Sequence, residues 1–141
     1  MSGKFNYELR YKYPHLIGED KDVWDRFVQK YPHKFDTVDY DVHVGTGIVD
    51  PDEPESKISE QWKELTRKRI DVIGWKVNFA TIIEVKKRVG LASLGQALGY
   101  RFLYQLENPK VLLSPSLIVC SQIDNDDQIV LDHFGILYEV V

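Results

Sequence analysis

Apolar residues recur at Val23, Trp24, Phe27, Val28 and Tyr31, the i, i+4, i+7 stripe of a helix with one buried side. Acidic residues ahead of that stripe suit a helix N-terminus, so the pattern predicts a helix from Asp20, closed by Pro32. The period then changes to two: Val38, Tyr40, Val42 and Val44 alternate with Asp39, Asp41 and His43, which predicts a half-buried strand ending at Gly45-Thr46-Gly47. Residues 49–57 are acidic and hold two prolines, as an exposed loop does. Ile58, Trp62 and Leu65 return to helical spacing behind Ser59, a candidate cap for a short helix. Two strands follow, Arg69 to Trp75 and Phe79 to Lys86, with a tight turn around Lys76 to Asn78 and an antiparallel pairing expected. The longest helix is expected from Leu91 to about Leu106, ended by Asn108-Pro109. Leu117-Ile118-Val119-Cys120 is the continuous apolar run of a strand covered on both faces, Asp124 to Phe134 reads as a polar connection with room for a helical turn, and Ile136 to Val141 resembles a last strand.

Helix, strand, strand, strand, helix, strand in that order predicts an α/β fold, a mixed central sheet flanked by helices. At 141 residues, without repeats or biased runs, the chain is expected to form one domain with its core at about 20–121. Its 43% hydrophobic content and 12% aromatics argue against disorder. A single cysteine, Cys120, rules out an intrachain disulfide and a cysteine-based zinc cluster. The histidines at 15, 33, 43 and 133 show no metal-binding spacing, and no phosphate-loop or dinucleotide-binding glycine pattern occurs, so no nucleotide cofactor is expected. With no run of about 18 apolar residues and no signal-like N-terminus, the expectation is no membrane association and a cytoplasmic, intracellular setting.

Three residues on the paired strands carry the most chemistry. Glu84 and Lys86 lie two apart, hence on one face of a strand, and a hairpin turning near Val77 sets Asp71 roughly across from Glu84. Neighbouring carboxylates repel, and a divalent cation relieves the repulsion; oxygen ligands favour Mg²⁺ or Mn²⁺ over zinc. A lysine beside such an ion can position or deprotonate a water and offset phosphate charge.

The pattern Asp71, twelve residues, Glu84-Val85-Lys86 resembles the PD-(D/E)XK nuclease superfamily, with Ile70-Asp71 as the first half-motif and ExK as the second. Gln96-Ala97-Leu98-Gly99-Tyr100 is similar to the Q-x-x-x-Y motif that RecB-type and lambda-exonuclease-like members carry on the following helix; its i, i+4 spacing puts Gln96 and Tyr100 on one helix face. The resemblance runs best over Arg69 to Tyr104 and implies a restriction-endonuclease-like core of α-β-β-β-α-β order. It implies metal ligation by Asp71, Glu84 and the Val85 backbone carbonyl, catalysis by Lys86 with Gln96 in support, and a DNA phosphate held near Tyr100. The family usually adds an acid, or in RecB-type enzymes a histidine, from before the first strand; Asp20, His15 and Asp25 are candidates, and the sequence does not choose among them. Proline is missing before Asp71, where Ile70 stands.

The net charge of −4 first argues against nucleic acid as a partner. Residues 60–101, however, hold nine basic against four acidic residues, a local +5 that leaves −9 for the rest. Arg69, Lys87 and Arg88 flank the candidate site and are expected to contact phosphates. The resulting expectation is a Mg²⁺-dependent deoxyribonuclease whose partner is DNA. The alternative is a catalytically inactive nuclease-fold module that binds DNA or protein in a replication, packaging or defence complex. So acidic a chain holds DNA weakly by itself, so a homodimer or a protein partner is also expected.

Overall fold

The computed structural model describes residues 2–49, 51–52 and 55–141, and these form a single α/β domain around one mixed sheet. Its elements are β1 (Phe5–Asn6), α1 (Gly18–Lys30), β2 (Thr37–Val44), α2 (Lys57–Thr66), β3 (Lys68–Lys76), β4 (Phe79–Arg88), α3 (Leu91–Glu107), β5 (Leu112–Leu113), β6 (Leu117–Gln122), α4 (Asn125–His133) and β7 (Leu137–Val140). The sheet order is β1-β2-β3-β4-β6-β7, with the short β5 beside the start of β4. Strands β1 to β4 pair antiparallel; β4, β6 and β7 are parallel. Each predicted element is present, with four differences.

Helix α1 begins at Gly18, two residues earlier than the acidic signal suggested. Ser56, not Ser59, caps α2: its hydroxyl accepts the Ser59 N–H at 3.1 Å, while Ser59 Oγ accepts the Ser56 N–H at 2.8 Å. The polar connection after β6 contains a full nine-residue helix, capped by Asp124, whose side chain accepts the Asp127 N–H. β1 and β5 are two residues each, too short for periodicity to reveal. Of the acidic loop, the described residues 49, 51–52 and 55–57 are exposed as expected; Asp50, Glu53 and Pro54 lie outside the described residues.

Helix α1 covers one sheet face, burying Val23, Trp24, Phe27 and Val28 against Val38, Tyr40, Val72, Ile83 and Val85. Helix α3 covers the other, with Tyr104 and Ala97 over Ile73, Ile82 and Ile118, and α4 adds Leu131 to that side. The core extends beyond 20–121 at both ends, since Tyr7, Tyr13, Leu16, Leu131 and Ile136 are buried too. Trp75, near the end of β3, is buried, its indole N–H donating to Asp39 at 2.9 Å. Cys120 is core, as expected, and burial pushes its thiol up to about 11. Helix α2 has no buried residue; Ile58, Trp62 and Leu65 face solvent. Among the described residues, no helix is long and apolar enough to cross a membrane.

One irregularity sets up the site. Unbroken alternation would place Val38, Tyr40, Val42 and Val44 on one face, yet Val38 and Tyr40 pack under α1 while Val42 and Val44 pack on the α3 side. Ile70 and Val72 on β3 divide the same way. The change of face falls at Asp41, whose φ of 53° is left-handed, and the β2–β3 ladder skips the Asp41/Asp71 pair. Asp71 therefore sits where the strand turns over.

Candidate metal centre

Strands β3 and β4 pair from Lys76↔Phe79 to Val72↔Ile83; one step further, the same register brings Asp71 opposite Glu84. The ladder ends there because β3 turns over. The Val85 N–H, left without a strand partner on that side, donates to Asp71 Oδ2 at 2.9 Å. On its other edge β4 runs parallel to β6 from Ile83↔Leu117 to Arg88↔Gln122. The fork between antiparallel and parallel pairing thus fixes Asp71, Glu84, Val85 and Lys86 together.

Glu84 is 2% exposed and faces the α3 side, since its neighbours Ile83 and Val85 pack under α1. Burial, and after it the Asp71 carboxylate with which it shares a hydrogen bond, pushes the Glu84 carboxyl up to about 9; Lys86 opposes this more weakly. The pair therefore retains a proton at neutral pH. Glu84 Oε1 is buried without a hydrogen-bond partner, and so is Gln96 Oε1. Two buried side-chain oxygens thus face the site without a partner within the chain.

Gln96 and Tyr100 reach the same spot from one face of α3. Burial, and after it the charge of Glu84, raises the Tyr100 hydroxyl, while Gln96 beside it lowers it. From the opposite side comes Asp20, on the first turn of α1; burial raises its carboxyl, Lys86 pulls it back down, and Asp71 pushes it up. Of the three candidates, Asp20 is the one whose charge acts on Asp71 and Lys86. His15 instead faces Asp41 at 3.1 Å, and Asp25 accepts from the Tyr13 hydroxyl at 2.6 Å and from Lys21 at 2.8 Å. The signal for Asp20 was its place four residues before Trp24, on the buried side of α1.

The flanking cations divide. Arg69 forms a bidentate pair with Asp41, Nε to Oδ1 at 2.8 Å and Nη2 to Oδ2 at 2.9 Å, beside His15. Lys87 pairs with Glu19 at 2.8 Å. Arg88 is exposed at the end of β4, lining a small hollow with Gln122 and Asp124.

No group of three or more His, Cys, Asp or Glu side chains that could hold a metal ion occurs among the described residues, so Asp20, Asp71 and Glu84 do not close a three-acid cage. What they offer is an open set, two carboxylates and a neighbouring strand carbonyl. Such a set suits hard cations that keep several waters or take oxygens from a substrate. Comparisons with protein-family models, with curated proteins and with solved structures each return no match.

Proposed function

We propose that the chain is a metal-dependent deoxyribonuclease of the PD-(D/E)XK type, with α1, β2, β3, β4, α3 and β6 as a restriction-endonuclease-like core. The observation that carries this reading is the placing of Asp71 across from Glu84, which is buried with an oxygen unpartnered and stands two residues from Lys86 on the same strand. Where two carboxyls share a proton, a cation can replace it. Asp71, Glu84 and the Val85 carbonyl would hold Mg²⁺ or Mn²⁺. Bound there, the ion would neutralise charge on the phosphoryl group and make water more acidic.

The chain's own residues do the rest. Lys86 Nζ, balanced by Asp20, would order the attacking water and offset charge on the phosphoryl group. Water oxygen bonds to phosphorus as the opposite P–O bond breaks; the water gives up a proton to solvent and the leaving oxygen takes one from solvent. The Tyr100 hydroxyl, held protonated, donates a hydrogen bond to a phosphate oxygen, and Gln96 positions that hydroxyl. Arg88 and Lys87 add backbone contacts that place the strand without reading its bases.

A second reading, a DNA- or protein-binding module without cleavage, draws support from the pairing of Arg69 with Asp41 and of Lys87 with Glu19, which leaves few cations free for phosphate. One experiment separates the two: labelled single- and double-stranded DNA incubated with the chain in EDTA, Mg²⁺ or Mn²⁺. The nuclease reading expects cleavage only with metal, and a loss of at least ~100-fold in Lys86→Ala. No cleavage by wild type, or undiminished cleavage by the variant, refutes it.

A further inference from the structure

Helix α3 is apolar on the side that faces away from the sheet. Leu91, Leu98, Phe102 and Leu106 are 64%, 39%, 62% and 62% exposed, and with Gly95 and Gly99 they fall within about 100° of helical arc. The sheet-facing residues Ser93, Ala97 and Tyr104 lie on the opposite side. Neither charge of the helix serves this face. Arg101 donates to the Ser114 and Leu113 carbonyls at 3.1 and 3.2 Å, and Glu107 accepts the Gly45 N–H at 2.6 Å and pairs with Arg67.

The two glycines are a separate observation. Glycine is the poorest helix residue after proline, and it usually stands in a helix interior because something comes close to the backbone. Within this chain nothing does: a Cβ at Gly95 or Gly99 would meet no atom within 4 Å. Their weak helix propensity therefore has no compensation inside the monomer, and the backbone there is open to another element.

We propose that this face of α3 packs against the same face of a second copy, making a two-fold helix-to-helix dimer. The stripe is self-complementary: Leu98 and Phe102 form the ridge, and Gly95 and Gly99 leave the groove into which the ridge of an antiparallel or crossed copy fits. Its lack of charge removes phosphate and acidic or basic peptides as occupants and calls for an equally apolar face. Area agrees. At about 200 Å² per large side chain, the exposed fractions amount to about 450 Å² of apolar surface per copy. With about 60% of an interface apolar, that corresponds to about 750 Å² per copy, close to the ~800 Å² of a standard stable complex. Tyr100 lies about 150° around the helix from the middle of the stripe and Gln96 about 110°, so the ridge of a second copy meets neither.

Sedimentation velocity and light scattering on the full chain, from about 1 to about 100 μM without DNA, test this. The expected mass is twice the 16.4 kDa of the chain. Phe102→Glu, at an exposed position, should give folded monomer with a dissociation constant raised at least tenfold. Gly95→Ala with Gly99→Ala should raise the melting temperature at low concentration, because alanine is the better helix former, and yet weaken the dimer at least tenfold. Trp62→Glu, on the exposed side of α2, should leave association unchanged. A wild type that sediments as monomer at 100 μM overturns the proposal. So does a dimer that survives Phe102→Glu or the alanine pair, or one that dissolves with Trp62→Glu. None of these results depends on whether the chain cleaves DNA.

Discussion

Replacing Glu84 by glutamine keeps the size of the side chain and removes its ionisation, which makes the buried carboxyl pair measurable. In the folded chain this carboxyl stands at about 9 instead of 4.5, first because it is buried and then because Asp71 lies beside it. A folded value above the unfolded one means that the native chain binds the extra proton. The stabilisation is complete below about 4.5 and is lost as pH rises toward about 9. Each pH unit in that window is worth about 1.4 kcal/mol, so from about pH 5 to about pH 8 the wild type loses up to ~4 kcal/mol that the glutamine variant does not. Urea denaturation in EDTA across that range reads the variant-minus-wild-type difference in unfolding free energy, which cancels the titrating groups outside the Glu84 and Asp71 pair. The difference should climb steadily with pH. Added Mn²⁺ should then recover much of the loss in wild type, by replacing the proton on the carboxyl pair, and do little for the variant. A difference that stays flat with pH would refute both the burial argument and the cation site built on it.

Other expectations follow from the same contacts. Asp20→Asn removes the carboxylate that faces Lys86 and should slow metal-dependent cleavage about 10- to 100-fold at unchanged thermal stability; an undiminished rate would detach α1 from the centre. Trp24→Ala, at a fully buried ring stacked on Phe27 at 5.2 Å, should cost about 3–5 kcal/mol by chemical denaturation, and a loss below ~1 kcal/mol would contradict the packing. Arg88→Gln should lower the salt dependence of DNA binding by about one ion, whereas Arg69→Gln should leave it unchanged because Asp41 already holds that guanidinium.

The period of the apolar residues located each long element except α4 to within a few positions, because burial of one side leaves a repeat of two or 3.6 residues that no partner needs to supply. Short pieces escaped: β1 and β5 are held by backbone pairing with β2 and β4, and two residues carry no period. Nor does period say what covers a side chain, as Trp62 and Trp75 illustrate. Helical spacing at Ile58, Trp62 and Leu65 is real, yet that side of α2 lies open, while Trp75 found cover under α3 and a carboxylate for its indole. An apolar stripe says that a surface prefers contact, not that the monomer provides it.

What the sequence by itself determined is the order of the elements and the hairpin register that sets Asp71 across from Glu84, since both follow from local spacing along β3 and β4. It also placed Gln96 and Tyr100 on one side of α3. Tertiary structure alone decided which acid of α1 joins them, that Arg69 turns to Asp41, and that the sheet changes face at Asp41 and Asp71. It alone gave Glu84 its raised carboxyl, because desolvation depends on how closely α3 covers β4 and not on the identity of the neighbours in the chain. Charge and burial act through space, and residues 20, 71, 84 and 100 become neighbours only when the sheet and its two covering helices close around them.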